Sequence, residues 1–229
     1  MFGFLKKLFS SESAAKTNTP HPKPPKKRRV IELLDDEWHE TDFPYQATIL
    51  NIQRANKSYG STCEIAIRYI EDGKYKDIIR LVNPKTKTFS FSNYHGLTLD
   101  DVSDSPLFPV VWDDLSPYFS NKNVVTYFAD AHMKALTKTL ERNHIAIPEM
   151  KEIDLYDYFC EYHDSWKSHS LDSVAEHLDI HSYPDAHNVQ QTLDVIYEIL
   201  EIMQQKRPGR LKKLFLHSSD KGVKNSTFR

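Results

Sequence analysis

The stretch "QATILNIQRAN", residues 46–56, decides the fold of this chain. It begins as a mostly apolar run and ends with two side-chain amides, Asn51 and Gln53, on either side of Ile52. Alternate residues of a β-strand point to the same side of a sheet. The stretch therefore predicts a strand that ends with two uncharged amides together on one face, which marks a candidate site.

The residues after this strand predict an α/β fold. Two further strands follow, joined by the two-residue hairpin signal Asp72-Gly73, so three strands form an antiparallel meander. A fourth apolar strand comes later and is followed by segments with apolar residues at helical spacing. The segments are "TCEIAIRYI" (62–70), "KDIIRLVNP" (76–84), "NVVTYF" (123–128), "DAHMKALTKTLERNHI" (130–145) and "AHNVQQTLDVIYEILEIMQQ" (186–205). This order predicts a mixed sheet with flanking helices.

Charge divides the 229 residues into three parts. Residues 1–30 and residues 204–229 each carry a net charge of +7, so with −2 overall the intervening part carries −16. We expect a basic amphipathic segment and disordered linker over 1–30, a folded domain over 40–203, and a basic tail over 204–229. An acidic body repels phosphate, so the tails, including Lys26, Lys27, Arg28 and Arg29, are expected to attract nucleic acid or an anionic membrane.

Other features of composition indicate a cytoplasmic protein, with attachment to a membrane surface as an option. No apolar run approaches the roughly 18 residues that a membrane span needs. The two cysteines, Cys63 and Cys160, lack the spacing of a disulfide framework or a metal site, and we expect both to be core residues in a reducing compartment.

Residues 46 to about 203 resemble the DEDDh 3′–5′ exonucleases, which include the proofreading epsilon subunit of bacterial DNA polymerase III and ribonuclease T. The resemblance is carried by "NIQRAN" (51–56), "EIAIRYIEDGK" (64–74) and above all "YHGLTLDDVSDSPLFPVVWDDLSPYF" (94–119). It implies a ribonuclease H-like exonuclease fold, with a mixed sheet, an antiparallel meander and flanking helices.

The resemblance also implies a site, and this chain departs from it. The family uses four carboxylates that hold two divalent cations, together with a histidine that acts on the attacking water. At the carboxylate positions this sequence has Asn51, Gln53, His132 and Thr192, and only His187 matches. Amides keep the shape of carboxylates but lose the charge, so we expect no metal site, no cofactor and no hydrolysis by this mechanism.

Neighbouring acids are not expected to replace the missing carboxylates. Asp130 and Asp194 each lie two residues from a site position on a predicted helix, and a step of two residues rotates a side chain by about 200°. Tyr94, His95, Tyr127 and Phe128 are predicted to line the cleft, where aromatic rings stack on bases.

The pentapeptide "LKKLF" occurs at residues 5–9 and again at 211–215. A basic amphipathic helix of this kind binds an anionic membrane surface or a groove in a protein partner.

Three functions are compatible with these observations. The first is an inactive exonuclease-fold module that binds single-stranded or 3′-terminal nucleic acid or acts as a scaffold. The second is an active 3′–5′ exonuclease with a non-standard site that uses His132, His187, recruited acids and Mg²⁺ or Mn²⁺. The third is an adaptor tethered through its tails. The choice between DNA and RNA, the partner, the oligomeric state and the pathway stay open.

Overall fold

The structure is a computed structural model, and it describes residues 37–182, 184–185 and 187–216. Lys26, Lys27, Arg28 and Arg29 and the first "LKKLF" segment lie outside the described residues.

The described residues form one sheet of six strands, and the sheet is mixed, as predicted. In chain order they are β1 (His39–Glu40), β2 (Ala47–Arg54), β3 (Thr62–Glu71), β4 (Lys74–Leu81), β5 (Asn123–Thr126) and β6 (Lys151–Asp154), and their order across the sheet is β1-β4-β3-β2-β5-β6. Strands β2, β3 and β4 form the expected antiparallel meander, and β5 and β6 add in parallel. Asp72 and Gly73 both have positive φ, the conformation that a two-residue hairpin requires.

Eight α-helices connect and cover these strands in the described part of the chain. They are α1 (Ser92–His95), α2 (Leu99–Val102), α3 (Phe108–Leu115), α4 (Ala129–Arg142), α5 (Leu155–Tyr162), α6 (Leu171–His177), α7 (Val189–Lys206) and α8 (Pro208–Leu216), with a 3₁₀ helix at Ser116–Tyr118. Pro109 lies in the first turn of α3, where a missing N–H costs no helical bond, so it begins this helix rather than breaking it.

The two faces of the sheet bury different layers. Ile49 belongs to the core formed with α5 to α8, whereas Leu50 belongs to the core formed with α3 and α4. Because side chains alternate along a strand, Asn51 and Gln53 point to the same face as Ile49, the face covered by α7. The fold thus places both amides beneath the beginning of α7.

The folded body extends past residue 203, where we expected the basic tail to begin. Helix α8 continues to Leu216, and its Leu211 and Phe215 are buried in the core that α7 shares. Residues four apart lie on one helical face, so this helix buries its apolar stripe on the domain. The second "LKKLF" segment is therefore part of the fold, which corrects its prediction as a membrane or partner anchor. Among the described helices, none is long and apolar enough to cross a membrane.

Candidate functional site

The end of β2 carries a buried acceptor. Asn51 is 6% exposed, and its Oδ1 atom has no hydrogen-bond partner among the described residues. Gln53 is half-buried and lies opposite Glu64 of β3 in the sheet register. Glu64 is fully buried on the same face, and directly paired residues have their Cβ atoms about 5 Å apart. The Glu64 carboxylate therefore lies next to the cleft that Asn51 and Gln53 line at the end of β2.

His132 reaches β2 from the first half of α4. Its Nδ1 atom accepts a hydrogen bond from the backbone N–H of Ile52 at 3.0 Å, so the neutral ring carries its proton on Nε2. Burial, and to a lesser extent the charge of Arg54, lower the pKa of His132 to about 4. The imidazole is therefore neutral at pH 7. At this position the exonucleases that the sequence resembles are expected to have a carboxylate.

The start of α7 supplies His187 and Thr192. The Asn188 side chain caps this helix by accepting from the Gln191 N–H. Thr192 is buried, and its hydroxyl donates to the carbonyl of Asp185 at 3.4 Å. The backbone N–H of His187 donates to the Asp185 carboxylate at 2.8 Å, and its Nδ1 atom lies 3.4 Å from that carboxylate. Asp185 therefore fixes the turn that carries both residues.

The loop at α1 closes against His187. Gly96 has φ 78, and a Cβ atom there would lie 2.8 Å from Cδ2 of His187, so only glycine allows this approach. The preceding His95 was predicted to contact nucleic acid, and that prediction is corrected. Its ring is buried, Nε2 bonds the Arg54 carbonyl at 2.9 Å, and Nδ1 accepts from the Leu97 N–H at 3.1 Å. His95 therefore attaches the loop to the end of β2.

Three aromatic residues predicted in the cleft differ in exposure. Tyr94 is 68% exposed and Phe128 is 47% exposed, whereas Tyr127 is buried and its hydroxyl donates to the His169 carbonyl. Tyr127 is thus a core residue, which corrects its prediction as a contact. Phe128 has φ 71 at the start of α4, and the Asp154 carboxylate accepts from its N–H at 2.9 Å. Tyr94 and Phe128 are the members of the predicted set that solvent reaches freely.

The neighbouring acids point elsewhere, as the helical rotation predicts. Asp194 pairs with Arg68 at 2.6 Å on the sheet. Asp130 is exposed. Burial raises the pKa of Glu152 and of Asp157, and the charge of Asp130 adds to this effect, so Asp130 lies near β6 and α5.

The cleft does not fit a pair of divalent cations. Within the described ranges, no three His, Cys, Asp or Glu side chains converge in a way that could hold a metal ion. Two amides, a neutral imidazole and a hydroxyl supply none of the negative charge that paired Mg²⁺ ions need, and Glu64 alone cannot balance two dications.

Sequence reasoning missed Glu64, although a signal for it was present. Strand alternation places Glu64, Ala66 and Arg68 on one face of β3. The register of β3 against β2 was needed to bring that face next to Gln53.

Comparison with known proteins identifies the fold. No protein-family model matches the chain, and a search of curated proteins gives no match at the significance level applied. The nuclease domain of 3′hExo, a DEDDh family member solved with bound rAMP, superposes with a TM-score of 0.57 at 17% identity, over 72% of this chain and 94% of that domain. The fold is thus that of the DEDDh exonucleases, as predicted.

Two larger proteins share the same fold. E. coli Exonuclease I in complex with a dT13 oligonucleotide matches with a TM-score of 0.63 at 10% identity, over 76% of this chain and 44% of that protein. A full-length 3′-exonuclease matches with a TM-score of 0.57 at 16% identity, over 73% of this chain and 62% of that protein. At these identities the likeness concerns the fold alone.

Proposed function

We propose that this exonuclease-fold chain binds the 3′ end of a single-stranded nucleic acid in the cleft at the end of β2 and does not hydrolyse it. The observation that carries the proposal is the buried Oδ1 atom of Asn51, an acceptor with no partner in the described part of the chain. A buried acceptor is stabilised only by a donor. Ionised phosphate oxygens are acceptors, whereas a terminal sugar hydroxyl donates, so the acceptor favours a strand that ends in a hydroxyl.

The other groups of the cleft support a ligand that needs no metal. The neutral His132 ring offers an Nε2 proton, and Thr192 offers a hydroxyl. Both are uncharged groups that hydrogen-bond a sugar or a base without a bridging cation. The net charge of −16 over residues 31–203 disfavours a phosphate placed deep in the cleft. Binding is therefore expected to persist in a metal chelator.

The exposed aromatics and the structural relatives suggest the class of ligand. Tyr94 and Phe128 offer rings to solvent, and stacking contributes about 1–3 kcal/mol per base in single-strand sites. The relatives named above were solved with rAMP and with a dT13 oligonucleotide, so the shared fold holds a nucleotide in one case and a single strand in the other.

End recognition is tested by fluorescence anisotropy in EDTA, with labelled single strands that end in a 3′-hydroxyl or a 3′-phosphate. We expect the hydroxyl end to bind about tenfold more tightly, since one bond of about 1.4 kcal/mol gives that factor. Asn51→Leu is expected to remove the preference. Gln204→Leu is the matched control, because it also removes a buried acceptor without a partner among the described residues. Gln204 lies about 18 Å along α7 from Thr192, so it is outside the cleft.

Two results would contradict end recognition. One is equal binding of the two ends by the unmodified chain. The other is loss of the preference in Gln204→Leu as well as in Asn51→Leu, which would trace the effect to general destabilisation.

The absence of hydrolysis is tested by incubating the same strands with Mg²⁺ or Mn²⁺. We expect intact strands, because the cleft lacks the charge that fixes paired cations. Degradation that disappears in His187→Ala would establish the alternative, an active exonuclease with a non-standard metal site.

A further inference from the structure

The segment that ends the folded body also occurs near the beginning of the chain. Residues 209–215 read "GRLKKLF" and residues 3–9 read "GFLKKLF", so the two segments differ only at their second position. The structure shows how residues 209–215 pack on the domain. The same contacts indicate what residues 3–9 are able to bind.

Helix α8 inserts two side chains into the domain. Leu211 and Phe215 are buried. The Phe215 ring stacks on Tyr45, with ring centroids 4.8 Å apart and planes at 15°, and meets Phe43 edge to face at 5.7 Å. Aromatic pairs of this geometry add about 0.5–1.5 kcal/mol beyond the buried area. We call Phe43, Tyr45 and Lys151 the helix dock.

Lys151 of the helix dock recognises the end of the helix. Its Nζ atom donates to the carbonyl oxygens of Leu214 and Phe215, the latter at 2.8 Å. The last carbonyls of a helix lack partners within the helix, and a cation there also complements the helix dipole. The helix dock thus contacts Phe215 and the carbonyl oxygens at the end of this helix, and Leu211 is buried four residues before Phe215. The segment at residues 5–9 has a leucine and a phenylalanine at the same spacing, Leu5 and Phe9.

The one differing position lies outside the helix dock. The Arg210 guanidinium sits 4.5 Å from the centroid of the Tyr162 ring. In the N-terminal segment this position is Phe4, an aromatic residue that also pairs with tyrosine. The aromatic contacts of the helix dock are made with Phe215 and do not involve this position, so the difference between Arg210 and Phe4 does not affect the residues that match Leu211 and Phe215.

We propose that residues 3–9 are a second ligand of the helix dock and compete there with α8. Residues 10–36 separate this segment from the described domain, and a random-coil chain of 27 residues has an end-to-end distance of about 30 Å. The segment thus reaches the dock of its own chain at a millimolar effective concentration. Its binding releases α8 with its lysines and its apolar stripe, so the two copies form an exchangeable pair.

The first test measures binding of a labelled peptide of residues 3–11 to four full-length chains by fluorescence anisotropy. They are the unmodified chain, Leu5→Ala/Phe9→Ala, Leu211→Ala/Phe215→Ala, and the chain with all four substitutions. The last chain has an empty dock and no tethered competitor, so it is expected to bind most tightly. Leu211→Ala/Phe215→Ala should bind about tenfold more weakly, as expected for a tethered competitor at millimolar concentration against a dissociation constant of about 0.1 mM.

Three outcomes of this test would overturn the proposal. They are no peptide binding by the chain with all four substitutions, unchanged binding when Tyr45→Ala is added to it, and equal binding by that chain and Leu211→Ala/Phe215→Ala.

A second measurement uses the unmodified chain and so does not depend on the folding of variants. Adding millimolar peptide 3–11 should accelerate hydrogen exchange of the α8 amides, because the peptide displaces this helix. The same peptide with Leu5→Ala/Phe9→Ala is the control and should have no effect. Unchanged exchange in α8 with the native peptide would refute competition for the helix dock.

Discussion

The cleft at the end of β2 and the ion-pair network around Arg68 lie on the same face of the sheet. The network consists of charged side chains, whereas the site positions of the cleft are occupied by neutral ones. Arg68 sits opposite Ile49, two residues before Asn51 in β2. It binds the Asp77 carboxylate through two hydrogen bonds of 2.7 and 2.6 Å and the Asp194 carboxylate through one of 2.6 Å. In the cleft, the four groups that the resemblance assigns to carboxylates are two amides, an imidazole and a hydroxyl.

The difference follows from what each anion has as a partner. Burial lowers the pKa of Arg68, but the bonds to Asp77 and Asp194 outweigh it and raise that pKa, so the cation is permanent. Tyr75 and Tyr197 lie against the guanidinium at 4.4 and 5.1 Å. Buried carboxylates that crowd together without a cation repel each other and stay protonated. The chain thus keeps buried charges around Arg68, where it supplies the counterion itself, and has neutral groups at the four positions where the resemblance implies metal-binding carboxylates.

The largest predicted effect comes from removing the counterion of the network. Arg68→Met leaves Asp77 buried without its cation, so the free energy of unfolding should fall by about 3–5 kcal/mol. Urea unfolding measures this change. The control is Lys138→Met, which removes an exposed pair with Glu141 and should cost no more than about 0.5 kcal/mol. A loss below about 1 kcal/mol for Arg68→Met would mean that the buried Asp77 carboxylate does not depend on Arg68 as its counterion.

The second prediction concerns the pH dependence that His132 brings to folding. Its folded pKa of about 4 lies below the unfolded value of 6.5, so the unfolded chain binds the proton more readily. The stability that His132 contributes is complete above pH 6.5 and is lost as the pH falls toward 4, by about 3 kcal/mol in total. His132→Asn should reduce the slope of unfolding free energy against pH in this window. Parallel curves for the two chains would show that the imidazole is not held neutral by the fold.

Strand alternation and turn chemistry explain why much of the fold was predictable. Asp72-Gly73 fixed the hairpin, and the alternation in β2 put Asn51 and Gln53 on one face. The helical rotation correctly separated Asp194 from Thr192.

Burial in loops and docking between distant segments were less predictable. The exposure of His95 and Tyr127 depends on tertiary neighbours such as Arg54 and His169, which no local pattern specifies. Likewise, the spacing of Leu211 and Phe215 predicts an apolar helical face but not whether Tyr45, a membrane or another protein covers it.

The smallest predicted effect tests the cleft itself through two substitutions of Asn51. Asn51→Leu removes an acceptor that has no partner, so the free energy of unfolding should stay unchanged or rise by about 1 kcal/mol. Asn51→Asp puts a charge in the same buried place with no counterion, and it should lower that free energy by about 2 kcal/mol. Because the two effects have opposite signs, thermal unfolding of both variants distinguishes a site kept neutral from an ordinary core position. If Asn51→Leu is the more destabilising substitution, the amide has a structural partner and is not reserved for a ligand.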